Sequence, residues 1–225
     1  MSMQKGRKRS TKSSQSVASD MFVGMPLVTV ITPCHREVDY ANILNNYRCQ
    51  DYSNCEFAAV FDDGMAKFEY GDLPVTACYL HTGVRLGIKR NWACVHGTGE
   101  FIVHMDSDDV YSSSWVSDSV RFLRDNPSVL VTGLSSVCFR DVVAGQDYLY
   151  EYMGTQPYVV GATMAYRRSF WDRVRFGDVS VGEDTEFVLA AGFGVRARSG
   201  YSDFLAILNG NNVSSHTHTG GMRRL

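Results

Sequence analysis

The chain has 225 residues, 44% of them hydrophobic, and a formal net charge of -2. That length closes one sizeable core but not two ordinary domains. The near-neutral balance excludes a global positive field that would draw the whole molecule to nucleic acid or an anionic membrane. Apolar runs such as Phe57 to Phe61 fall far short of the roughly 20 residues of a spanning helix, so no membrane span is expected. The segment Met21 to Val30 is broken by Gly24 and Pro26 and reads as the entrance to a strand, so no export signal is expected either. Six scattered cysteines form no CxxC pair, which points to free thiols and a soluble protein in a reducing, cytoplasmic setting.

Residues 1–20 carry Lys5, Arg7, Lys8, Arg9 and Lys12 among Ser, Thr and Gln. They lack the apolar surface needed to offset ordering entropy, which predicts a disordered basic tail. Residues 21–225 are expected to form one domain, with a nucleotide-binding half over about 27–110 and an acceptor-side half over about 111–225. Leu27 to Thr32 is the first predicted strand. A helix from Val38 to Gln50, strands at Phe57–Phe61 and Val75–Leu80, a helix body at Lys89–Val95 and a strand at Phe101–Met105 follow. Ser112 to Ser114 offer N-caps for a helix through Arg124, stopped by Asn126-Pro127 before a strand at Val129–Thr132. The alternation weakens beyond this point. Strands are predicted at Tyr158–Tyr166 and Gly194–Ala197, with a helix over Asp184–Ala191. The pattern describes an α/β protein with a mostly parallel central sheet flanked by helices.

In open α/β sheets, ligands gather at the carboxyl ends of the strands. Three of the predicted strands run there into polar residues: Thr32-Pro33-Cys34-His35, Asp62-Asp63-Gly64, and Asp106-Ser107-Asp108-Asp109. Three carboxylates within four residues repel one another unless a cation is present, and hard oxygen ligands suit Mn²⁺ or Mg²⁺. The same residues also make an ordinary acidic turn ahead of a capped helix. Asp62-Asp63-Gly64 reads equally as a turn with a left-handed glycine or as a hydrogen-bonding edge for a nucleobase or ribose. Gly182-Glu183-Asp184 is either an acidic first helical turn or a carboxylate held toward a cleft by the helix dipole.

Taken in order, these pieces resemble the family-2 inverting glycosyltransferases, nucleotide-diphospho-sugar transferases with the GT-A fold. The resemblance runs through Val28-Thr29-Val30-Ile31-Thr32-Pro33, Val60-Phe61-Asp62-Asp63-Gly64, Leu86-Gly87-Ile88-Lys89-Arg90-Asn91, Gly99-Glu100-Phe101-Ile102-Val103, Asp106-Ser107-Asp108-Asp109 and Gly182-Glu183-Asp184. It implies that Thr32, Pro33 and His35 border a nucleotide and that Asp63 meets the base. Lys89 and Arg90 would lie near the donor phosphates. Asp106 and Asp108 would form the DxD pair, with Asp108 the metal contact, and Asp109 would support them. Asp184 would be the catalytic base and Glu183 its companion on the acceptor side.

The implied cofactor is Mn²⁺ or Mg²⁺. The implied partners are a nucleotide-sugar donor, a UDP-sugar first, and an acceptor of unspecified kind: glycan, protein, lipid head group or modified nucleic acid. His216 and His218 are candidates for a third metal ligand, against a reading as polar tail; alternatively, Asn209 stands where family members carry a late histidine. Trp92, Trp115 and Trp171 read as core residues, and Tyr148 to Tyr158 as a lid beside the acceptor. A sugar-phosphate nucleotidyltransferase and a non-catalytic nucleotide-sugar-binding module are the competing readings. The former wants a glycine-rich phosphate loop that Thr32-Pro33-Cys34-His35-Arg36 lacks.

Overall fold

The structure, a computed structural model, describes residues 24–210, 212 and 222–225. The basic tail at 1–20 and the pair His216 and His218 lie outside the described residues.

The first half alternates strand and helix: β1 (Val28–Pro33), α1 (Tyr40–Arg48), β2 (Cys55–Asp62), β3 (Val75–Leu80), α2 (Leu86–His96) and β4 (Phe101–His104). The short β5 (Val110–Tyr111) and α3 (Trp115–Asp125) follow, then β6 (Val131–Leu134), β7 (Ser136–Asp141) and β8 (Gln146–Glu151). The chain finishes with β9 (Ala165–Arg167), the single turn α4 (Arg168–Trp171), α5 (Glu183–Ala191), β10 (Val195–Arg198), β11 (Phe204–Leu208) and β12 (Met222–Arg224). A seven-stranded sheet in the order β10-β6-β9-β4-β1-β2-β3 forms the centre. Only β9 runs against its neighbours, so the expected mostly parallel sheet is present. A second sheet, β12-β8-β7-β11-β5, packs beside it.

The two faces of the central sheet carry two cores, because side chains alternate along each strand. Val28, Val30, Ala59, Phe61, Phe101 and Val103 join one cluster with Tyr47 and Trp115. Ile31, Ala58, Val60 and Ile102 join the other with Ala93, Tyr166 and Phe187. Each helix lays its apolar stripe on one of these faces. On α2, Gly87, Lys89, Arg90, Ala93 and Cys94 are buried, the i, i+3, i+4 spacing of a helix lying on a sheet. Trp92 lies off that stripe, 43% exposed and stacked on His96; the expected core role therefore holds for Trp115 and Trp171 only.

Two expectations in the second half are corrected. The run Tyr158–Tyr166 is a strand only from Ala165, because its earlier part makes the single 3₁₀ turn Gly161–Thr163. Tyr148 to Tyr158 begins as strand rather than lid: Gln146–Glu151 pairs with Ser136–Asp141 as a hairpin around Gly145, whose φ of 65° suits only glycine without strain.

Candidate functional site

The carboxyl ends of β1, β2 and β4 converge with the N-terminus of α5 on one cavity of about 600 Å³. Its walls include Pro33 and His35 after β1, Asp62 at the end of β2, Asp106 to Asp109 after β4, and Glu183 and Asp184 at the start of α5. Carboxylates distant in sequence are thus brought to one space.

The acidic loop is held from below. The Tyr111 hydroxyl accepts from the backbone N–H of Asp106 at 2.8 Å and donates to the Ala162 carbonyl at 3.0 Å. From α1, Asn42 donates to the carbonyls of Ser107 and Asp109 at 2.9 and 2.8 Å, and Asn46 donates to that of Asp109 at 2.8 Å. These amides satisfy carbonyls that the turn would otherwise strand, so the aspartates of this loop are presented on a fixed backbone. Asn42 and Asn46 are a missed part of the site. Their i, i+4 spacing on a predicted helix was the only signal in the sequence, and it does not reveal a partner more than sixty residues away.

The three carboxyls of the loop have different surroundings. Asp106 Oδ2 lies 3.2 Å from Arg90 Nη2, whereas Asp106 Oδ1 is shielded from solvent with no hydrogen-bond partner. Asp108 Oδ2 faces Arg36 Nη2 at 3.1 Å and the side-chain amides of Asn209 and Asn212 at 3.3 and 3.2 Å. Asp109 is buried, and its Oδ1 accepts from the N–H of Ile207 at 3.0 Å, tying the loop to β11. Burial raises the pKa of all three, and nearby carboxylates add to it: Asp108 and Asp184 at Asp106, Asp39 at Asp108, and Asp108 and Asp106 at Asp109, where the rise is largest. Arg90 opposes the rise at Asp106, and Arg36 opposes it at Asp108.

Arg90 is 2% exposed and joins the two sides of the cavity floor. It meets Asp106, and its Nε stands 3.4 Å from Glu183 Oε1. It also contacts His104, which burial and this cation hold well below its ordinary pKa and therefore neutral. Lys89 Nζ lies 2.5 Å from Asp62 Oδ1. Glu183 is 3% exposed, and burial pushes its pKa up to about 7 against the opposing Arg90 charge. At the next position, Asp184 Oδ1 accepts from the N–H of Thr185 at 2.7 Å. The left-handed Gly182, φ 86°, turns the chain into this helix and presents its first carboxylates to the positive end of the dipole.

Several sequence expectations change position in space. Thr32 is 1% exposed and does not border the cavity: strand alternation puts it with Val28 and Val30 on the face that carries Tyr47. Asp62, rather than Asp63, forms the cavity wall. Asp62 continues the alternation of Ala58 and Val60 toward α2, whereas Asp63 is exposed and accepts from the N–H and hydroxyl of Thr82, both at 3.1 Å. Those bonds hold the Asp63 carboxyl below its usual range. Glu183 lines the cavity beside Asp184 and is buried against Arg90, because the first turn of α5 points it inward. Asp109 is a structural tie. Arg36 was not singled out in the sequence, and Asn209 does stand beside Asp108.

Among the described residues, no cluster of three or more His, Cys, Asp or Glu side chains surrounds a metal position. The residues nevertheless fit a hard divalent cation. Mg²⁺ and Mn²⁺ are commonly held by one or two carboxylates together with substrate phosphates and water rather than by an all-protein cage. Asp106, with its unpartnered Oδ1, and Asp108 line the same space.

A mostly parallel α/β sheet with an acidic loop after its fourth strand and a second acidic pair at a helix start defines the GT-A class of nucleotide-sugar transferases. Residues 29–175 match the sequence model of glycosyl transferase family 2, well over half of the chain, and the chain belongs to that family. No curated protein sequence matches it. Among solved structures, the chain is similar to S. aureus TarS 1–349 in complex with UDP-GlcNAc, at 18% identity and a TM-score of 0.64, over 80% of this chain and 58% of that one. The mannosyltransferase PcManGT from Pyrobaculum calidifontis in complex with GDP-Man and Mn2+ is also similar, at 20% identity and a TM-score of 0.57, over 81% of this chain and 56% of that one. The chain therefore spans less than two-thirds of the length of either.

Proposed function

We propose that this chain transfers a sugar, with inversion and with a divalent cation, from a nucleotide diphosphate sugar to an acceptor hydroxyl. The observation that carries the reading is the meeting of Asp106, Asp108 and Asp184 around one cavity. Its described lining holds six acidic residues (Asp62, Asp106, Asp108, Asp109, Glu183 and Asp184) against two basic ones, Lys89 and Arg90, both already ion-paired. The ionised carboxylates of this lining repel a diphosphate, and added positive charge offsets that repulsion. When bound, Mn²⁺ or Mg²⁺ at Asp106 and Asp108 would supply Lewis-acid stabilisation of the diphosphate leaving group.

The residues of the chain divide the remaining work. Pro33 and His35 border the nucleotide end, with Asp62 in the place first considered for Asp63. Lys89 and Arg90 hold Asp62 and Asp106 in orientation from beneath. Asp184 takes the proton of the acceptor hydroxyl as that oxygen attacks the anomeric carbon, help worth roughly 10²–10⁴-fold in rate. The hydrogen bond from Thr185 fixes Oδ1, leaving Oδ2 as the oxygen beside Gly161. One displacement on the face opposite the leaving diphosphate inverts the centre and needs no covalent intermediate.

We take the donor to be a UDP-sugar, supported by the likeness to TarS, whose structures hold UDP-GlcNAc and UDP; the GDP-Man complex of the mannosyltransferase is the comparison to beat. The test is a panel of UDP- and GDP-sugars followed by nucleotide release, with Mn²⁺ and with chelator. UDP release that requires the metal is the expected result. Absence of binding and turnover with every nucleotide sugar would overturn the reading.

A further inference from the structure

One face of the second sheet forms part of the cavity wall. In the register of its strands, Ala206 is level with Phe139, Leu208 with Asp141, and Tyr150 with Met222. Since directly paired residues share a face and alternate ones return to it, Phe139, Tyr150, Ala206, Leu208 and Met222 all stand on one surface, and all five line the cavity. Their burial is graded. Phe139 and Ala206 are 6% and 7% exposed and belong to the core, while Tyr150, Leu208 and Met222 are only partly covered. The core thus emerges into the cavity as an apolar shelf. Tyr158 lines the cavity from the loop after β8, beside Asp184 and Thr185, and its ring lies tilted against Tyr152 at a centroid distance of 4.6 Å.

We infer that this shelf selects the acceptor: a hydroxyl carried on or beside an uncharged ring, whose flat face packs on Tyr158 and the Tyr150 shelf. The inference rests on the reading of the cavity as a glycosyl-transfer site. Apolar surface left partly open gains free energy when a ligand covers it, and a tyrosine face takes a sugar's C–H face or a nucleobase equally well. An acceptor with a phosphate or carboxylate next to its reacting hydroxyl is excluded by charge. Asp184 faces the incoming group, and besides His35 the basic side chains at the cavity are already engaged: Lys89 and Arg90 by acids, and Arg36 by Asp39 and Asp108, while a divalent cation at Asp106 and Asp108 would be taken up by the donor diphosphate.

Saturation-transfer NMR on the full chain with diamagnetic Mg²⁺ and UDP tests this, using phenyl glucoside, a hydroxymethylated pyrimidine nucleoside and glucose phosphate as probes. Saturation at the ring protons of either neutral probe, with none for glucose phosphate, is expected; which neutral probe responds tells a sugar ring from a base. Tyr158→Ala should weaken that binding by about fivefold or more and Tyr158→Phe should retain it, since the ring face carries the contact. Glucose phosphate binding as well as the neutral rings, no ring binding at all, or equal binding by the alanine and wild-type proteins would each overturn the inference. Calorimetry of UDP on the wild-type chain is run in parallel. Its failure there would sink the donor reading instead, and is thereby distinguished from failure of the shelf.

Discussion

Arg36 Nη2 stands 3.1 Å from Asp108 Oδ2, so a carboxylate proposed above to take a metal already faces a cation of the protein itself. Arg36 is at the same time held by Asp39, its Nε and Nη2 each 3.0 Å from a carboxylate oxygen. It can therefore leave Asp108 without losing all its partners. A divalent cation entering at Asp108 competes with this guanidinium.

That competition has a measurable consequence. Arg36→Met should bind Mn²⁺ about three- to tenfold more tightly than wild type in the absence of nucleotide, as expected for removal of one partly buried charge-assisted hydrogen bond. Asp108→Ala should bind it more weakly. Calorimetric titration reads both, and equal affinities in all three proteins would remove Asp108 from the metal site.

The base assignment separates binding from chemistry. Asp184→Asn should slow transfer roughly 10²–10⁴-fold while UDP affinity stays close to wild type. Single-turnover rates and calorimetry give the two numbers; undiminished transfer would reassign the base.

Gly161 supplies an independent probe of the same carboxylate. A Cβ at this position would stand 2.7 Å from the Cγ and the Cβ of Asp184 and still closer to its Oδ2, so Gly161→Ala must displace the Asp184 side chain. Misplacement of a reacting group by about 1 Å can cost on the order of 10²-fold. The alanine variant should lose transfer to that extent while its Mn²⁺ affinity remains near wild type, because Asp106 and Asp108 stand on another loop. Normal kcat in this variant would show that the geometry of Asp184 does not matter.

Glu183 makes folding stability depend on pH. Its folded pKa of about 7 lies above the ordinary glutamate value of 4.5, so the folded state binds more protons between those two values. Its contribution is present in full below the unfolded pKa and is lost as pH rises through the folded one. Chemical denaturation of wild type and Glu183→Gln from pH 5 to pH 8 isolates this contribution from the other raised carboxyls. The wild type should lose stability relative to the glutamine variant across that range, and parallel curves would contradict the buried, raised state of Glu183.

Much of the architecture was legible from the sequence because its first half obeys simple periodicities. Val75–Leu80 is a strand at its predicted bounds, and β1, β2 and β4 each lie within about two residues of expectation. The second half was less legible for a physical reason. Its strands belong to a separate sheet whose order, β12-β8-β7-β11-β5, is built from distant pairings, and the hairpin carrying Phe139 and Tyr150 lacks the strong apolar runs of the parallel core.

The sequence by itself determined that acidic residues follow apolar strands and open a helix, and its resemblance to the family grouped Asp106, Asp108 and Asp184 as candidate site residues. It did not determine which member of each acidic group faces the ligand. Asp62 and not Asp63 lines the cavity, and Asp108 is more open to it than the buried Asp109, because adjacent positions point in different directions and each turn chooses among them by the partners it finds. Those partners, Lys89, Thr82, Arg36 and the Ile207 backbone, arrive from distant segments. Only packing the two sheets and α2 together brings them within hydrogen-bond reach.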